Sequence, residues 1–469
     1  MQRIRLAMLC AATALVAACG GGNEPVAVVP PVVEVPKQVE TPPVVVKPEV
    51  KTVLAYAASR AAPAPALTAA ISLGAKAQTF DTSRAFAVSD LNREVLVLRN
   101  AMSLPPLHFA HLELLRSAAA GDTLSEINRV APAPAEAAVI TGLTSDVTRR
   151  VWGQTGAPFL TSWLSASDGS GSHPTVGPWL GYEIDFAARA DLDDGAFKQS
   201  LISYGGALSL SGFAASALTR MLVDDNLDVP FAWPAVEVFD GVFVDSRHDR
   251  WAMPMVRLRD SVKLFRGSNY RADMVARGGL TLLVIRPDPQ DPNEGHDVFA
   301  RRHLDRALSE SLAAYGSGGP FVLTPGEIVL PAVTMGFSAT RGGTSTLTFG
   351  NASPYNEVTA NLRALDGSGG TYAQHQRAAT AVQVGATGLR VYGAELTAFT
   401  FSPANINGPG SSTGGIFDSD TFTFTFVTRP VCPSTEADTR GFFLALVNAN
   451  RMLVSLASVA YAPAGNRCN

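Results

Sequence analysis

The residue types that could do chemistry in this chain are few and widely spaced. A serine nucleophile at a hydrolase elbow sits in Gly-x-Ser-x-Gly, where glycines allow the sharp turn that exposes the hydroxyl. The nearest stretch is Gly169-Ser170-Gly171-Ser172-His173, which lacks that pattern and reads as a loop. No Ser-x-x-Lys occurs with a supporting Lys-Thr-Gly. His108 and His111 stand three apart at a helix start, a spacing that could ligate a metal, but no partner spacing accompanies them. With seven histidines in 469 residues, core or surface placement is the simpler reading. Asp191, Asp193, Asp194 and the Asp224-Asp225 pair are acidic clusters without the glycine and terminal glutamate of an EF-hand. No phosphate-cradling glycine loop follows an expected strand. The chain reads as a non-enzyme, with no catalytic residue, no metal and no cofactor.

One cysteine does carry expected chemistry. Arg3 and Arg5 precede a short apolar core, Leu6 to Val16, too short to span a bilayer. Val16-Ala17-Ala18-Cys19 follows and looks like the lipobox of bacterial lipoproteins, which makes Cys19 the lipidated first residue after residues 1–18 are removed. Gly20 rather than aspartate follows it, which favours the outer membrane of a Gram-negative cell, periplasmic or surface-facing. Acyl chains anchor stably because each buried methylene contributes roughly 0.8 kcal/mol. Residues 19–66 read as a linker. Pro30-Pro31-Val32-Val33, Pro42-Pro43-Val44-Val45-Val46 and Pro48 favour an extended, semi-rigid spacer, and Ala-Pro repeats continue to Ala66.

Residues 67–469 are then one domain. Across the whole chain 46% of residues are hydrophobic and 17% charged, with a net charge of −4. That composition supports a large core, and without a basic run there is no electrostatic footprint for nucleic acid. Four cysteines are present. Cys10 leaves with the signal and Cys19 takes lipid. Cys432 and Cys468 are expected to pair in an exported chain, the alternative being two buried thiols.

Period and punctuation place the elements. Leu91 to Leu98 reads as a helix end or short strand. Ser103-Leu104-Pro105-Pro106 opens a helix over Leu107 to Ser117, since proline suits the first turn. Gly121 reads as its stop, with Thr123 and Glu126 at capping-box spacing for the next helix. Phe159, Leu160, Trp163 and Leu164 share a helical face. From Val236 to Ile285 the pattern is mainly strand, His303 to Ala314 is helical, and Glu327 to Pro331 enters another strand. Phe442 to Val447 with Met452 to Val459 reads as a hairpin. Helices dominate the first half and strands the second, an α+β mixture. Near the end, Ala381 to Val384 and Thr421 to Phe426 alternate as strands do. A glycine- and proline-rich tract, Ser402 to Gly415, separates them. A connection that long tends to be functional, and it reads as a presented bait or binding segment.

Taken in order, these stretches resemble the serpin family over roughly Leu91 to Val459. The residues that carry the likeness are Ser103-Leu104-Pro105 leading to Gly121-Asp122-Thr123 and Ile127, then Trp152-Gly153-Gln154 with Phe159-Leu160. Met253-Pro254-Met255, Tyr270 and Gly279 to Pro287 follow, then Val384 to Gly388, Thr421 to Pro430, and the closing hairpin. The resemblance implies helices around a large central sheet with further strands. It also implies a reactive-centre-like exposed loop at about 394–420, marked by Thr397, Ser402, Pro403, Gly408, Gly415 and Phe417. Val384, Gly385, Ala386, Thr387, Gly388, Leu389, Arg390, Val391 and Tyr392 stand where the family has its hinge. A serine or cysteine protease is the partner it implies, met by a monomer held to the membrane through lipid alone.

The hinge departs from the family pattern. An inhibitory serpin is cut in its loop and inserts the hinge into its sheet, which calls for small residues. Here the expected glutamates are Ala386 and Thr387, and the expected alanines are Leu389-Arg390-Val391-Tyr392. Burial of an unpaired guanidinium is costly and bulky side chains overpack a core, so insertion is expected to be obstructed. Two functions follow: a protease inhibitor, or a non-inhibitory binding or scaffold lipoprotein that keeps the fold. Cys19→Ala is expected to leave the protein in the aqueous phase of a detergent partition, since no second anchor is expected in linker or body. Retention in the detergent phase would count against the lipid anchor.

Overall fold

In the computed structural model the described residues are 48–59, 71–95, 100–130, 136–167, 179–188, 217–233, 236–288, 295–316, 322–341, 353–402 and 439–462. The early helices are α1 (Val53–Ser59), α2 (Leu73–Val95), α3 (Pro105–Ala118), α4 (Gly121–Val130), α5 (Ala137–Thr144) and α6 (Thr161–Ser167). Short strands run among them: β1 (Val50–Lys51), β2 (Ala101–Ser103), β3 (Val147–Gln154), β4 (Phe159–Leu160) and β5 (Leu180–Ile184). Then come β6 (Thr219–Ala232), β7 (Glu237–Val244), β8 (Arg250–Leu258), β9 (Lys263–Arg266), β10 (Tyr270–Arg277) and β11 (Leu280–Pro287). Helices α7 (His296–Arg302) and α8 (Leu304–Gly316) lead to β12 (Thr324–Pro325), β13 (Ile328–Pro331) and β14 (Thr334–Arg341). Helix α9 (Arg363–Asp366) precedes β15 (Thr371–Gly385) and β16 (Gly388–Phe401), and β17 (Thr439–Arg440), β18 (Phe442–Val447) and β19 (Leu453–Val459) close the described chain.

Three large sheets result. The central one has six strands in the order β14-β15-β16-β6-β3-β5. A seven-stranded sheet runs β12-β9-β10-β11-β18-β19-β2, and a four-stranded one runs β13-β8-β7-β17. In the seven-stranded sheet β18 and β19 are buried along their whole length and apolar apart from Ser455 and Ser458 of β19, as expected of strands covered on both faces. One side packs on α2, α7 and α8 through Phe80, Leu91, Phe299 and Leu304. The other joins the main core, which takes Leu107 from α3, Leu104 from just before it, and Val382, Val384, Leu389 and Val391 from the central sheet.

Helix α3 is the hub of this packing. Pro105 and Pro106 occupy its first turn, where no intrahelical N–H partner is needed. Leu104, Leu107, Ala110, Leu114 and Leu115 are buried, so the upper half of the helix meets the main core and the lower half a second cluster with Trp163, Val223 and Phe399.

Three expectations are corrected here. The linker does not run unbroken to residue 66: residues 48–469 form one unit, and Val53 and Tyr56 of α1 are buried within it. Gly121 is the first residue of α4, with φ +55°, and not the stop of α3. Thr123 Oγ1 accepts from the backbone N–H of Asn361 at 3.0 Å, a long-range bond that no local capping pattern announces. Phe159 and Leu160 form β4, paired with β1, rather than sharing a helix with Trp163.

The seat of α1 depends on missing side chains. A Cβ at Gly153 would lie 2.7 Å from Val53 Cγ2, and one at Gly181 would lie 2.6 Å from the Trp179 ring and 2.7 Å from Ala57 Cβ. Tyr56 stacks on Trp179 with centroids 5.8 Å apart. Gly181→Val should therefore unseat α1, with an overpacking cost of about 1–3 kcal/mol. Limited proteolysis should show faster cleavage within residues 48–59 while the seven-stranded sheet stays protected. An unchanged cleavage pattern would mean the slot is wider than these contacts indicate.

Candidate functional site: the strand that fills the central sheet

The stretch expected to be hinge and exposed loop is, over most of its length, a strand. Gly385 pairs with Gly388, so Ala386 and Thr387 are the two central residues of a tight hairpin turn between β15 and β16, the commonest length for such a connection. Trp233 Nε1 donates to Gly385 O at 3.1 Å and ties the turn to the end of β6. From there β16 pairs antiparallel with β15 on one side and with β6 on the other, the latter from Gly388↔Ala232 to Thr400↔Thr219. It is an interior strand of the sheet.

The bulky residues expected to obstruct insertion are the ones that fit. Alternation sends Leu389 and Val391 into the main core beside Val229, Phe231, Val382 and Val384. Arg390 points to the opposite side, where Nε and Nη2 donate to the two carboxylate oxygens of Asp228 at 2.7 and 2.5 Å. Its side chain is 42% exposed, so no buried unpaired charge arises. The same guanidinium lies 5.3 Å from the Tyr392 ring. Tyr392 is 2% exposed and packs with Ala379, Ala381 and Ala394. The alanines needed to admit a large side chain are present, but two of these three lie on the neighbouring strand β15. Gly393 allows α3 to approach, since a Cβ there would lie 2.5 Å from Leu104 Cδ1.

The exposed-loop expectation is corrected over its first part. Thr397 is 1% exposed within β16, and Ser402 is 3% exposed just beyond it. The Ser402 N–H donates to Gly370 O at 2.8 Å and its hydroxyl donates to Glu357. Phe399 enters the cluster with Leu362 and Met221, and Arg220 lies 4.8 Å over the Phe401 ring. Pro403, Gly408, Gly415, Phe417, the Thr421–Phe426 strand, Cys19, Cys432 and Cys468 lie outside the described residues.

Strand β6 supplies functional residues that pattern reading did not assemble. Asp224 and Asp225, taken as an acidic cluster, sit mid-strand and point to opposite faces. Asp225 accepts from Arg149 Nε and Nη2 at 2.7 and 2.8 Å, and Arg149 Nη2 also donates to Ala110 O of α3 at 2.8 Å. Asp224 is fully buried, with Arg150 3.8 Å away. Burial pushes its carboxyl up to about 7, against the opposing effects of Asn226 and Arg150. The hydrophobic alternation of β6 is broken by these acids, which hid a strand of 14 residues. Its one signal was the pair of arginines, Arg149 and Arg150, facing them in register from β3.

The two early histidines are core residues. His108 stacks on Phe86 with centroids 4.0 Å apart, and His111 bonds to Tyr355 and Thr397. Among the described residues no group of three ligating side chains gathers for a metal. A hydroxyl–imidazole contact exists between Ser458 Oγ and His296 Nε2 at 2.9 Å. Ser458 is fully buried, His296 stacks on Phe443 at 4.1 Å, and burial pushes the imidazole down to about 3. The imidazole is half-buried and neutral, and its contact with Ser458 ties α7 to β19.

An early helical half, a dominant central sheet with a long hairpin in it, and a C-terminal hairpin inside a second sheet define a serpin-like α+β fold. Solved structures agree. The chain is similar to a cleaved serpin 42Da (TM-score 0.56, 12% identity, covering 82% of this chain and 99% of that chain). It is similar to a cleaved, loop-inserted ovalbumin mutant (TM-score 0.58, 12% identity, 81% and 100%). It also resembles the thermophilic serpin tengpin in its latent state (TM-score 0.57, 11% identity, 82% and 98%). At these identities the likeness is one of fold. No family model matches the chain, and no curated protein matches it.

Asp224 offers a pH test of this geometry. Its carboxyl is raised in the folded state, so the native protein holds more protons than the unfolded chain between the ordinary carboxylate range and about 7. Its contribution to stability is therefore greatest below that window, falls as pH rises through it, and is flat above. Asp224→Asn removes the penalty of the buried charge. Urea unfolding should show the variant more stable than the parent at pH above 7 and nearly equal to it near the unfolded carboxylate range. A difference independent of pH would place Asp224 in contact with solvent.

Proposed function

We propose that this chain is a serpin-fold lipoprotein that works as a binding scaffold and not as a spring-loaded protease trap. The observation that carries this is the position of β16: in the uncut chain it already pairs on both sides in the central sheet. A trap needs free energy held back until its loop is cut, and that energy comes from hydrogen bonds and burial gained on insertion. Here both are already made. Leu389, Val391, Tyr392 and Phe399 are buried, and Arg390 has its carboxylate partner. The likeness to structures described as cleaved, loop-inserted and latent supports the same reading.

On this reading Cys19 carries lipid, the Pro/Val-rich linker spaces the body from the outer membrane, and the residues after Ser402 present the contact to a protein partner. The body is a monomer with no enzymatic activity. The direct test is incubation with a panel of serine and cysteine proteases, read on a denaturing gel and by thermal melting. A nick after Ser402 should leave the melting temperature almost unchanged, because the strand has nowhere further to insert, and no covalent protease complex should survive denaturation. A gain of tens of degrees on nicking, or a stable covalent complex, would establish the inhibitor instead.

A further inference from the structure

We draw no further inference here: the strongest candidate, the cavity of about 400 Å³ between the β10–β11 turn, the end of α8 and the β18–β19 turn, has its two arginines, Arg277 and Arg451, exposed on an open rim, and nothing in the structure shows what covers it.

Discussion

Strand β16 is held by two ladders at once, to β15 and to β6, and most of the molecule is arranged to make that possible. A strand paired on both sides satisfies its backbone N–H and C=O groups internally, whereas a gap between β6 and β15 would leave two open edges. The side chains follow the same constraint. On the α3 side the strand presents Leu389, Val391, Gly393, Glu395, Thr397 and Phe399 in turn. Apolar residues meet the main core, glycine admits the helix, the polar pair meets His111, and Phe399 reaches the lower cluster. On the other side Arg390 finds Asp228, Tyr392 finds a bed of alanines, and Leu396 meets Trp152 and Leu222. Such complementarity along a whole strand is the pattern of a sheet that contains it as a permanent member.

The buried charges are placed with the same economy. Arg149 links β3 to β6 and to the backbone of α3. In the seven-stranded sheet Arg286 plays a similar part, with Asp273 at 2.6 Å and the carbonyl of Val329 on β13 at 2.8 Å. Buried pairs of this kind add little net stability when compared with apolar substitutes, but breaking one partner leaves an uncompensated charge. Their effect is to make one strand register far better than its neighbours, which matters in a sheet whose central strands offer long stretches of similar apolar residues.

Much of the architecture was legible from pattern. The strands β7, β8, β9 and β11, the helix α8 and the closing hairpin β18–β19 appear where alternation, proline and glycine place them, whereas β10 was not singled out. The start of α3 was readable because two prolines can only open a helix there. Strand β6 was not, because Asp224, Asp225, Asn226 and Asp228 interrupt its alternation and its burial depends on partners far away in the chain. The seat of α1 was equally hidden, since its slot is made by Gly153 and Gly181 roughly a hundred residues on.

The sequence by itself determined that hydrophobic strands and helices of these lengths must collect around a large sheet, and that Leu389 and Val391 face away from Arg390 and Tyr392. Alternation along a strand is a local property of the backbone. It did not determine whether those side chains would block the sheet or complete it. That depended on Asp228, Ala379 and Ala381, which belong to two other strands. Whether a bulky or charged residue obstructs a strand is decided by the cavity and counter-charge that meet it, and only the tertiary fold brings those together.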